Sequence, residues 1–234
     1  MRTLRTSVGP FGERPYYSDE EIERICSDAL AETGLMPREP GIVRIERFIE
    51  KRFKAPVIYE RLAAKVLGFT EFGPNGVKAI HIAEASDAGS QSEARRINST
   101  LAHEAGHGLM HGHLFALGLD HGRLFGNDPD VTEQKVLCRD EDIQERGSKR
   151  RYDGRWWEFQ ANRAIGALLM PKEIFLLFMQ QFVEHRGSFG LPTLQRSRRD
   201  EAVVAASNTF DVNPAVSRIR VASLFPETSD QLTF

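Results

Sequence analysis

Cysteine is nearly absent: Cys26 and Cys138 are the two in 234 residues, which excludes a disulfide scaffold and any all-cysteine zinc cluster. Neither sign of charge is in excess, with 31 Lys plus Arg against 33 Asp plus Glu and a net charge of −2. That balance argues against a protein whose main task is wrapping nucleic acid or an anionic membrane. Long hydrophobic runs are missing as well. No stretch approaches the ~20 apolar residues needed to span a bilayer, and Met1 to Tyr17 holds no run of the roughly 7–15 that an export signal needs. The expectation is a cytoplasmic protein with no membrane partner. A chain of this length, 41% apolar and 27% charged, can bury one real core.

Residues 1–17 carry Gly9, Pro10, Gly12 and Pro15 with little periodicity, so they read as a flexible lead-in. Ser18 with Glu21 is a capping-box pattern for a helix ending near Gly34, whose face carries Ile22, Ile25, Ala29 and Leu30. A second helix is expected over roughly 41–54. The period then changes from 3.6 to 2. Ala55–Leu62, Val66–Phe72 and Val77–Ala83 read as strands of a small, mostly antiparallel sheet, with Gly73-Pro74-Asn75-Gly76 as a turn. Ser90 with Glu93 repeats the capping box before a helix of about 93–111. Residues 112–153, rich in turn signals and mixed charge, read as a long inserted loop with one short helix at 131–138. Helices follow at 155–169 and 171–185, split by Pro171, and then at 194–210 and 214–224, the last opened by Asn213 and Pro214. The main domain is thus 18–192, with a C-terminal helical, helix-turn-helix-like segment at 193–234.

Five of the seven histidines lie between 103 and 121, and their centre is His103-Glu104-Ala105-Gly106-His107, an H-E-x-x-H pattern within an expected helix. Taking His103 as zero on a helical wheel, His107, His111 and Glu104 fall at about 40°, 80° and 100°. All four share one flank. Imidazoles one turn apart can grip one Zn²⁺, and Glu104 beside the first of them is placed as general base toward a water that the ion acidifies.

A third ligand is sought in Trp156-Trp157-Glu158-Phe159-Gln160-Ala161-Asn162. Glu158 falls inside the apolar stripe of Trp157, Ala161, Ala164, Ile165, Leu168 and Leu169, and a carboxylate aimed into a core is costly unless a cation meets it. His113 is its rival, at the metzincin spacing from His103, but that pattern needs a glycine where Met110 stands. His111 is expected to touch substrate or groups around the ligands. Cys138 is either a small buried hydrophobe or a thiolate able to fill an open zinc position.

Thr100 to His107 with His111, then Glu158-Phe159-Gln160-Ala161-Asn162-Arg163-Ala164 running into Leu168-Leu169-Met170-Pro171, with Ala205 to Phe210, Val212-Asn213 and Ile219-Arg220 behind, resemble the ImmA/IrrE metallopeptidases over about residues 20–225. The resemblance implies an α+β, zincin-like fold. It implies His103, His107 and Glu158 as ligands of Zn²⁺ and Glu104 as the catalytic base. It also implies a protein substrate that is a helix-turn-helix repressor, cleaved to relieve repression after stress. One departure is the 50 residues between His107 and Glu158, where such proteins have fewer, so the insertion is expected to reshape or cover the cleft.

The sequence-level expectation is therefore a zinc endopeptidase, with substrate extended along a sheet edge near Val77 to Ala83. His111, His121 and Tyr152 are candidates to steady the oxyanion. The alternative is a DNA-binding or sensor regulator of peptidase-like fold without proteolysis, in which arginines of the two C-terminal helices, Arg218 and Arg220 among them, meet phosphates.

Overall fold

Ser18 opens the first helix as its sequence requires: its hydroxyl accepts from the Glu21 backbone N–H, and the Glu21 carboxylate accepts from the Ser18 N–H. The computed structural model describes residues 2–5, 13–85, 87, 89–114, 131–132, 135–139, 155–186 and 191–226. Before that helix, β1 (Arg2–Arg5) and β2 (Glu13–Tyr16) pair as an antiparallel ribbon, where the sequence reading has only a lead-in. Then come α1 (Asp19–Glu32), α2 (Ile45–Phe53), β3 (Val57–Glu60), β4 (Val66–Gly73), β5 (Gly76–Ala83) and α3 (Gln91–Met110). β6 (Val131–Thr132), β7 (Lys135–Arg139), α4 (Trp156–Leu169), α5 (Lys172–Met179), β8 (Val183–Arg186), β9 (Leu191–Leu194), α6 (Arg199–Phe210) and α7 (Pro214–Leu224) complete the order.

The main sheet runs β3-β5-β4-β7-β6 and is mixed. β4 and β5 form the expected hairpin, closing at Gly73 opposite Gly76, whose φ of 102° suits glycine. β3, however, lies parallel to β5. β5 is consequently an inner strand, so the edge expected to receive substrate at Val77 to Ala83 is occupied by β3 over Ile80 to Ala83. The helix expected at 131–138 is corrected too. Val131–Thr132 and Lys135–Arg139 are strands, and β7 pairs antiparallel with β4; Val136-Leu137-Cys138 is a β-favouring run that a ladder partner claims. The helix expected over 171–185 stops at Met179, and Val183–Arg186 pairs with Leu191–Leu194. Ser90 makes no side-chain cap bond, so the second capping box is not formed. Asn213 does cap α7, accepting from the Ala215 N–H.

Helix α3 packs on β4 and β5 with one side and on α4 with the other; α1 lies against α4, and α7 joins it from the C-terminal end. One hydrophobic core runs through these layers, from Ile22, Leu30 and Phe48 through Leu101 and Ala105 to Leu168, Phe175, Phe210 and Val221. The chain is α+β. No helix among the described residues is long and apolar enough to cross a membrane.

Candidate metal centre

Three glycines set how closely α3 can be approached. A Cβ on Gly106 would lie 2.8 Å from the Ala164 Cβ and 3.2 Å from the Ala161 backbone, and one on Gly68 would lie 2.9 Å from the Thr100 methyl. Gly108 makes the same room for Phe53 and Val77. Small residues at these crossings let α4 and β4 close on α3 at His103 to His107, and this brings the distant carboxylate of Glu158 to the imidazoles.

His103, His107 and Glu158 converge, each offering one ligand atom, with all three atoms within 4.8 Å of one another. The two Nε2 atoms are 3.0 Å apart. Glu158 Oε2 is 3.1 Å from His103 Nε2, and Oε1 is 3.5 Å from His107 Nε2. The group is buried: both histidines are 0% exposed and Glu158 4%. Ligand atoms around a tetrahedral zinc ion with bonds of ~2.0–2.1 Å are about 3.3 Å apart, so these separations fit one. Neither oxygen of Glu158 has a hydrogen-bond partner among the described residues. An ionised carboxylate left so is expensive, and a divalent cation between it and the imidazoles removes the expense. Burial alone would push the Glu158 carboxyl up, but the His107 and His103 imidazoles outweigh it and hold the group well below the ordinary carboxylate range.

Each histidine is oriented from behind. His103 Nδ1 is 3.0 Å from Asn162 Oδ1, one helical turn beyond Glu158 on α4, and donates to it. This leaves the lone pair of Nε2 facing His107. His107 Nδ1 is 3.0 Å from His111 Nδ1, and His111 Nε2 is 2.9 Å from Gln160 Oε1. Burial pushes His107 down from the ordinary imidazole range, against the pull of Glu158. Burial, reinforced by His107, pushes His111 down to about 3. His111 is thus a neutral partner of a candidate ligand, and the Trp156 ring packs against it in a T-shaped pair with centroids 5.5 Å apart.

Glu104 is wholly buried and tied to the sheet. Thr70 Oγ1 on β4 donates to its Oε2 at 2.6 Å, and the Glu104 backbone carbonyl is 3.2 Å from the same hydroxyl. Thr70 and Gln160 are residues that the sequence reading missed; each meets its partner across elements, and no periodic pattern marks either one. His113 is exposed at the end of α3 and does not join the group. His121 and Tyr152 lie outside the described residues, as does most of 112–153. Cys138 contributes its backbone to β7, opposite Gly68, and its side chain is outside the described set.

The C-terminal helices place their arginines unevenly. Arg220, which the DNA-binding alternative would need at a phosphate, is 4% exposed. Its guanidinium pairs with Glu23, donates to the Met170 carbonyl and lies over the Phe175 ring. Arg218 is exposed, and Arg198 spans Glu201 and the Phe182 ring.

No family model matches the chain, and no curated protein matches it. Among solved structures it is similar to a Mycobacterium tuberculosis transcriptional regulator, at 12% identity and a TM-score of 0.49, over 91% of this chain and 48% of that one. The chain therefore spans about half the length of that structure.

Proposed function

We propose that the protein is a zinc-dependent endopeptidase of zincin-like fold and ImmA/IrrE type, cleaving a helix-turn-helix repressor. The observation that carries this reading is the buried meeting of two imidazole nitrogens with a carboxylate that has no hydrogen-bond partner among the described residues, beside a second buried carboxylate. His103, His107 and Glu158 would hold the ion, leaving a fourth position for the reaction. Bound there, zinc supplies Lewis acidity toward a peptide carbonyl and brings the pKa of water toward ~7.

The protein's own residues supply the rest. Glu104 takes a proton from the attacking water and returns it to the leaving amine nitrogen, so that one carboxylate serves as base and then as acid. Thr70 holds the carboxylate in place for this, its hydroxyl donating to Oε2 at 2.6 Å. Burial of Glu104 keeps bulk solvent from competing for the proton.

The test joins metal analysis to proteolysis. Purified chain should contain about one zinc per molecule, and incubation with a helix-turn-helix repressor encoded beside it should yield defined fragments, abolished by a chelator and restored by added zinc. A chain that takes up no divalent metal, or cuts equally well with chelator present, overturns the reading.

A further inference from the structure

Behind the metal-binding face, a chain of polar contacts leads from His107 to a backbone carbonyl of the N-terminal ribbon. Gln160 Nε2 is 2.9 Å from the Pro15 carbonyl oxygen. A carbonyl oxygen can only accept, so the amide must turn its nitrogen to Pro15 and its oxygen to His111. An amide oxygen can likewise only accept, and His111 Nε2, 2.9 Å away, must carry the proton. His111 is wholly buried between His107 and Gln160, and an uncharged imidazole with its proton on Nε2 leaves Nδ1 bare. That bare nitrogen is 3.0 Å from His107 Nδ1, which must then be the donor. Each link removes one choice from the next.

We propose that Gln160, anchored on the Pro15 carbonyl and acting through His111, is a positioning residue for the metal centre: it fixes His107 with its proton on Nδ1 and the lone pair of Nε2 turned to the ion. The inference rests on the metal-centre reading and adds the relay and the role of the N-terminal ribbon. His103 needs no such chain, because Asn162 on the helix that carries Glu158 fixes it directly. Behind His107 stands an imidazole instead, a group that can present either a donor or an acceptor. A histidine alone behind His107 would leave the tautomer undecided. The amide of Gln160 decides it, and the amide is itself decided only because residues 13–16 come back across α4 as β2. Outer partners of metal ligands commonly contribute 10-fold to 100-fold in affinity.

The experiment uses the full chain. Zinc affinity is measured by competition with a chromophoric chelator, and thermal stability of the metal-free protein is measured alongside it. Gln160→Leu should weaken zinc binding by roughly 10-fold to 100-fold. Gln160→Glu, which exchanges the amide that donates to the Pro15 carbonyl for a carboxylate that cannot, should not restore it. A purely structural role for Gln160 would lower the melting temperature of both variants and leave affinity at the wild-type value, and that result overturns the proposal. A second measurement needs no variant. In wild-type protein labelled with ¹⁵N-histidine and loaded with zinc, long-range ¹H–¹⁵N spectra should show His111 protonated on Nε2 alone and His107 on Nδ1 alone. A His111 protonated on Nδ1 refutes the relay while leaving the metal centre standing. Wild-type chain that binds no zinc removes both.

Discussion

Glu104 and Thr70 divide a task that is visible only at atomic scale. The carboxylate has two oxygens, and the Thr70 hydroxyl occupies one at 2.6 Å. Glu104→Gln keeps the size and leaves His103, His107 and Glu158 untouched, so zinc content should stay at the wild-type level while cleavage falls by about 10²–10⁴-fold, the usual worth of a general base. Atomic absorption on the variant and a fragment assay check the two halves separately. Retained cleavage would assign the base elsewhere. Thr70→Val deletes the hydroxyl with little change in shape. It leaves a buried carboxylate short of a charge-assisted hydrogen bond worth about 1.5–3 kcal/mol, so denaturant unfolding should show a loss of that order and cleavage should drop at unchanged zinc content. Thr70 contacts Glu104 and is not among the three ligands, which is why the two readouts should separate.

The three candidate ligands meet because two helices touch. The Gly106 position on α3 faces Ala161 and Ala164 on α4, and an added Cβ would meet the Ala164 Cβ at 2.8 Å. Neither neighbour is a flexible side chain end, so the helices must part. Gly106→Ala should destabilise the fold by about 1–3 kcal/mol through overpacking and weaken zinc retention as Glu158 moves from the imidazoles. Gly112→Ala is the control, since its Cβ would meet only the Phe72 ring at an ordinary 3.7 Å. Equal zinc affinity in the two variants would show that helix spacing does not set the site. The sequence announced much at this scale. The i, i+4 spacing of His103 and His107 fixes their shared flank whatever surrounds the helix, and Glu158 was conspicuous as the one carboxylate in an apolar stripe. Residues whose meaning depends on a partner far along the chain were not legible: Thr70 meets Glu104 34 positions on, and Gln160 meets Pro15 145 positions back. The same cause accounts for β7. Residues 135–139 have a local leaning toward strand, but too short a run to decide it until β4 offers a ladder.

Across the whole molecule, the C-terminal helices are pinned to the core that carries the site, and Arg220 does the pinning. From α7 it reaches Glu23 on α1 and the carbonyl of Met170 at the end of α4. Three elements distant in sequence meet at one guanidinium. Charge patterning could nominate Arg220 for a phosphate, but could not reveal a carboxylate 197 positions earlier that already engages it. The two assignments predict different outcomes for Arg220→Met. If α7 read a duplex, the variant would lose salt-sensitive DNA affinity and keep its stability. The buried pair predicts the reverse. Removing one partner leaves Glu23 in a mostly buried position, with its side chain 17% exposed, and breaking such a pair costs about 3–5 kcal/mol. The remaining exposure of Glu23 argues for the lower end of that range. Arg218→Met, at an exposed position on the same helix, should change stability by no more than about 0.5 kcal/mol. The double variant Glu23→Leu with Arg220→Met closes the argument, because replacing both charges by apolar side chains of similar volume is often neutral. It should regain much of what Arg220→Met loses, and denaturant midpoints for the four members of the cycle measure the coupling. Additive losses would mean that Arg220 acts through packing on Gly166 and Phe175, not through Glu23.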